Sequence, residues 1–300
     1  MSSARKRRKA PYRLNIFLSQ LTLPSSRLWI IFFLLLPISR IFAQSLSTDD
    51  GIKYSQIQGG LRIDGYVGIG SSLVIPPQIG GEAVIAIARD ALNGNRVITR
   101  VSLPSTVVSI PGNPFVNGAQ LQTIEVDPAN SAFSSLDGVL FDKARRQLIA
   151  FPGARAGEYV VPEGVTRIVH PAMANLTALR KVRLPKSLET FDVSTFQISS
   201  LTEIEVDPDN PYFAGIGGVL FSRNLRTLLA FPTGRPGSYT VPTGVTEIYH
   251  SAFYGARSLT ALALPVGVTS IGSQGIRGCA SLERLNLPST LTTIGTVGLS

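Results

Sequence analysis

The chain has 300 residues, 44% hydrophobic and 16% charged, with 28 Gly and 20 Pro. That is enough apolar material for a sizeable core, and the turn residues argue against long helices. The formal net charge of +9 points towards nucleic acid, but eight of the 28 Lys and Arg lie in residues 1–43, which contain no acid. The remainder, with about 20 basic and 19 acidic residues and no further run of like charge, is near neutral and excludes the field of a DNA or RNA binder.

Residues 1–43 read as an export signal. The basic run Arg5 to Lys9 precedes the apolar stretch Leu28 to Ile38, and Ile41-Phe42-Ala43 offers a small residue for cleavage. Roughly 11 apolar residues are too few for a spanning helix, which needs about 20. The sequence therefore predicts a signal peptide over 1–43 and no stable membrane span after cleavage, with an uncleaved anchor as the alternative. Residues 44–70 are expected to cap the N-terminal end of the domain that follows. With Cys279 alone there is no disulfide framework, so the fold must stand on packing.

From about residue 71 to 300 the chain repeats itself. The phrases LRKVRLP, LTALALP and LERLNLP close at Pro185, Pro265 and Pro288, and related phrases close at Pro104, Pro128 and Pro208. Above this period lies a longer one. Residues 121–190 align without a gap on 201–270, 80 positions later, with 31 of 70 identical, so 121–200 and 201–280 form a super-repeat. In each coil an apolar pair two residues apart, such as Leu262 and Leu264, faces one side of a strand, and Pro265 suits its end. A single coil cannot cover its own apolar row, but stacked coils can, which predicts a solenoid. Val139 to Pro152 and Gly218 to Pro232 each hold two apolar runs around a short polar segment. Both are predicted to be β-hairpin insertions projecting from one edge.

Phrases such as GVTEIYHSAFYGARSLTALALP (Gly244 to Pro265) and GVTSIGSQGIRGCASLERLNLP (Gly267 to Pro288) resemble the BspA-like leucine-rich repeats of bacterial surface proteins. Cys279 stands where that family commonly has a cysteine. Phe191-Asp192-Val193-Ser194 departs from the usual isoleucine-glycine turn, and Leu92 replaces an aromatic. The resemblance covers about residues 52–299. It implies a leucine-rich-repeat solenoid, β-strand-rich with short helical or irregular returns. It also implies secretion, and adhesion to host or matrix proteins in some members, with no catalytic residues.

The chemical constellations favour scaffold over catalysis. His170 and His250 occupy matching places, about three coils and roughly 14 Å apart at strand spacing, too far to share an ion. Glu125/Asp127/Asn130 and Glu205/Asp207/Asn210 carry oxygen ligands but lack the glycine turn and closing glutamate of a calcium loop, and read as local turns. Cys279 reads as a buried small side chain. No metal site or cofactor is expected, and the chain reads as a non-enzyme. Tyr212, Phe213, Arg223, Arg226, Arg235, Tyr239, Tyr249 and Tyr254 are the candidate partner-binding residues, since Tyr and Arg are enriched in hot spots; the competing reading is that several of the aromatics cap the core. The expected function is an extracellular or cell-surface binding or adhesion module for a protein or glycan. The alternative is a self-associating envelope component joined through an uncapped C-terminal end.

Overall fold

The computed structural model describes residues 46–298, and the leader expected over 1–43 lies outside them. The described chain is a β-solenoid of about ten turns. Its returns are irregular, apart from one short 3-10 turn, Val193–Phe196. Each coil runs through a front strand, the repeat's proline, a short back strand and a side turn. Front strands stack in parallel register: Val182 of Leu179–Leu184 lies between Tyr159 and Ile204. Leu262 of Leu259–Ala263 likewise lies between Tyr239 and Leu285. On the back, Ile248, Ile271 and Ile294 stack in the same way.

The recurring residues have separate tasks. The apolar positions, among them Leu262, Leu264, Val268 and Ile271, are buried in rows. Each such side chain contributes about 1.5–3 kcal/mol. Beside the inward-facing valine or leucine of Val245-Thr246, Val268-Thr269 and Leu291-Thr292, the threonine hydroxyls form a ladder. Thr246 donates to the Arg226 carbonyl, Thr269 to Thr246 and Thr292 to Thr269, at 3.1–3.3 Å. At the N-terminal end, Leu46–Ser47, Ile52–Ile57 and Gly60–Tyr66 pair antiparallel, and the last of these joins Glu82–Ile87 in parallel. Ile52, Leu61 and Ile63 are thereby buried at the head of the stack.

The insertions differ from expectation. Each is a three-stranded meander, and its strands are core rather than projections. Phe133–Leu136, Val139–Asp142 and Gln147–Ala150 pair antiparallel, as do Phe213–Ile216, Val219–Ser222 and Thr227–Ala230. Val139, Leu140, Phe141, Val219, Leu220 and Phe221 are fully buried. The first turn of each meander is a two-residue loop, Asp137-Gly138 or Gly217-Gly218, with positive φ at both residues. That turn reaches the front, where Ile124 N–H donates to the Gly138 carbonyl and Ile204 N–H to that of Gly218. A Cβ at Gly138 would come within 2.5 Å of the Thr123 hydroxyl. The meanders divide the front into three sheets of three strands, one for each block of three coils.

Buried asparagines fasten each meander to the coil before it. The Asn210 amide donates to the carbonyls of Pro185 and Leu188 and accepts from the amides of Tyr212 and Phe213, all at 2.8–2.9 Å. Asn130 does the same with Pro104, Val107, Ala132 and Phe133. Asp127 and Asp207 each accept from a backbone amide two residues on, so these clusters are turns, as expected. Asn210→Ala removes four buried hydrogen bonds and should lower stability by about 2–4 kcal/mol in denaturant unfolding. Amide exchange at Tyr212 and Phe213 should accelerate with it, and unchanged protection there would show that the staple is dispensable.

Candidate binding surface

The eight candidate residues do not form one patch. Tyr212, Arg223 and Arg226 lie exposed at the outer end of the second meander, where the Arg223 amide donates to the Tyr212 carbonyl at 2.9 Å. Leu225, at φ 59°, is exposed between the two arginines. Phe213 is a correction: it is 9% exposed, with its ring 5.2 Å from Phe191, and so is core rather than contact surface. Arg235 and Tyr239 are also bound into the scaffold. The Arg235 guanidinium donates to the Gly217 carbonyl and lies 5.7 Å from the centre of the Tyr239 ring. Burial pushes the Tyr239 phenol up to about 12. The matching Arg155 bonds to the Asp137 carbonyl and lies over Phe151 and Tyr159, so this is a repeated brace for the meander turn. Tyr249, half-buried against His250, and Tyr254 belong to the side turns.

One juxtaposition was not anticipated. The His170 Nδ1 lies 2.7 Å from the Ser194 hydroxyl and 3.5 Å from Asp192. Ser194 donates to Asp192, which also accepts the Ser194 amide as the cap of the 3-10 turn. Burial raises the Asp192 carboxyl, but the Ser194 bonds and both histidines outweigh it, and the net shift is downward. A nucleophilic serine needs its proton directed at imidazole, with the acid on the other ring nitrogen. Here serine and acid share the Nδ1 side, so the group is a turn cap. Cys279 is half-buried, donates to the Phe253 carbonyl, and is raised by burial to about 11, which keeps it a thiol at neutral pH. Among the described residues no group of three or more His, Cys, Asp or Glu is placed to hold a metal, and no helix is long and apolar enough to cross a membrane.

The model of the BspA type leucine rich repeat region matches in six copies over residues 79–153, 147–228 and 230–298. The chain belongs to this family. Among solved structures, the pneumococcal vaccine antigen PcpA is 21% identical over 84% of this chain and 78% of its own, with a TM-score of 0.55. A leucine-rich-repeat protein from Eubacterium ventriosum is 14% identical over 83% of this chain and 92% of its own, with a TM-score of 0.51. Both likenesses concern the fold. A search of the curated proteins finds no match.

This BspA-type solenoid carries an ion-pair network on the middle front sheet. Lys181 contacts Glu203 and Glu205, and Arg183 contacts Glu158 and Glu205. The hydrogen bond that Lys181 donates to Glu205 raises the Lys181 ammonium and holds the Glu205 carboxyl below its usual 4.5. The signal was present in LRKVRLP and TEIEVDP, whose charges alternate at strand spacing and stack one coil apart. These charges neutralise one another and leave the face little net field. A depressed carboxylate contributes stability that is present above its unfolded pKa and lost as pH falls through the folded one. Stability should therefore decline as pH falls below about 4.5, and Glu205→Gln should flatten that decline. At 36% side-chain exposure, solvent screening keeps the contribution of Glu205 small at neutral pH. Parallel acid-unfolding curves for variant and parent would remove Glu205 from the account.

Proposed function

We propose that the chain is a secreted or surface-held binding module that grips a protein or glycan partner with the outer end of its second meander. One observation carries this reading: Tyr212, Arg223, Leu225 and Arg226 stand exposed together in the turns that join strands fixed in the core. A rigid aromatic beside planar cations is the composition of a contact hot spot, and pre-organised strands lower the entropic cost of binding. The family, the fold shared with a pneumococcal antigen and the leader-like residues 1–43 support a place at the cell surface. The solenoid offers extended surfaces in place of a catalytic cleft, which supports binding rather than turnover.

The test is a solid-phase assay of the purified protein against intact host cells and a panel of matrix proteins. The triple variant Tyr212→Ala, Arg223→Ala, Arg226→Ala should weaken retention at least tenfold while leaving the unfolding curve within about 0.5 kcal/mol of the parent. Undiminished retention would move the contact elsewhere. Concentration-dependent growth of the protein without any retained partner would favour the self-associating envelope component instead.

A further inference from the structure

The side turns form a row along the solenoid, and each meander-bearing coil contributes a short one. These short turns, residues 151–156 and 231–236, leave a notch between their longer neighbours. In the first block the notch is bridged. Asn113 sends its amide across to the carbonyls of Pro171 and Ala172, at 3.3 and 3.2 Å, 58 and 59 residues along the chain. In the second block the notch remains an open groove of about 450 Å3. It crosses four successive coils, from Asn175 past Gln197 and Ser199, over Thr233, to Tyr254, Arg257 and Ser258.

The lining is what sets this groove apart. Eighty positions earlier, Ala174 stands for Tyr254, Thr177 for Arg257, Ala178 for Ser258, Ala119 for Ser199 and Gly153 for Thr233. Small residues in one copy have become an aromatic ring and hydrogen-bonding groups in the other. The Thr233 hydroxyl is used internally, donating to the Ile198 carbonyl at 2.7 Å, and forms the floor. The side chains of Asn175, Gln197, Ser199, Arg257 and Ser258 make no hydrogen bond to another described residue. The Arg277 guanidinium lies over the Tyr254 ring, 5.9 Å from its centre, and steadies it.

We propose that this groove is a subsite for a linear acidic glycan. Amides and hydroxyls match sugar hydroxyls, and the tyrosine ring offers an apolar face to the C–H side of a pyranose. Arg257 supplies a planar fork for a carboxylate, and none of the lining residues is an acid. Coils repeating at about 4.8 Å space these groups at intervals comparable to one sugar unit, and the volume lies within the range of ligand sites. The subsite rests on the surface-binding reading above and gives it a ligand class at a second location.

The test is calorimetric titration of the purified full chain with hexamers of galacturonate, hyaluronan and alginate, and with neutral chitohexaose and poly-glutamate. At least one acidic hexamer should bind saturably. Tyr254→Ala and Arg257→Thr should each weaken it at least tenfold, while Arg89→Ala with Arg96→Ala, two exposed arginines outside both proposed contacts, leaves it unchanged. Both groove substitutions install the residue that the first block carries, so they suit this backbone, and thermal unfolding checks that they fold. Failure of all three acidic hexamers, or binding that survives both groove variants, would overturn the subsite. So would chitohexaose binding that is indifferent to Arg257→Thr, or binding of poly-glutamate alone. Retention on cells or matrix proteins without any hexamer binding would overturn this subsite and leave the meander reading standing.

Discussion

A coil in this protein buries its apolar row only against the coils on either side. Val182 between Tyr159 and Ile204, or Ile271 between Ile248 and Ile294, is covered by neighbours in the stack, not by its own twenty-odd residues. Backbone bonds between strands fix the spacing, and the threonine ladder repeats it on the back. The rest of the structure follows from keeping that stacking unbroken. Proline closes the front strand because a residue without an N–H cannot extend the parallel ladder there. The asparagine amides then use the carbonyls of Pro104 and Pro185 from the following coil.

The meanders are the expensive departure from this regularity. Each adds strands to the back sheet without adding any to the front, so the front ladder has to break. The break is made safe by the hairpin turn itself, which supplies the Gly138 and Gly218 carbonyls to front-strand amides. It is braced by Arg155 and Arg235, which hold the turn carbonyls and cover an aromatic ring. The same insertion shortens the side turn of its coil. A groove between coils is therefore a geometric consequence of the insertion, closed in one block by Asn113 and open in the other.

Stacking and duplication were legible in the sequence because both are periodic. The apolar pairs, the prolines and the 80-residue offset each report one constraint repeated many times. The first strand of each meander was missed, although FSSL-Asp137-Gly138-VLFD carries the strongest short hairpin signal in the chain. The expected projection failed for a related reason: two apolar runs announce a hairpin, but only the coil they displace decides whether it packs inside. The surface was less legible. Composition cannot separate Tyr212, which lies exposed in the bend before the strand, from Phe213, which opens the strand and is core. Nor does it show that Ser194 and His170, 24 residues apart, meet across one coil.

The duplication itself separates scaffold from surface. Asn130 and Asn210, Gly138 and Gly218, Arg155 and Arg235, Tyr159 and Tyr239 are identical between copies, and every one of them meets a geometric demand of the meander. An αL turn, a fully bonded buried amide and a guanidinium spanning carbonyl and ring each admit few substitutes. Apart from the internally bonded Asn113 and Thr233, the residues around the side notch meet no such demand, and there the copies diverge, from Ala174 to Tyr254 and from Thr177 to Arg257. Arg235 and Tyr239, chosen from the sequence for their residue types, thus fall on the scaffold side. The positions at which one block tolerates alanine are those at which the other is free to carry a contact. In a chain built by repetition, binding chemistry is best sought where equal backbone carries unequal side chains.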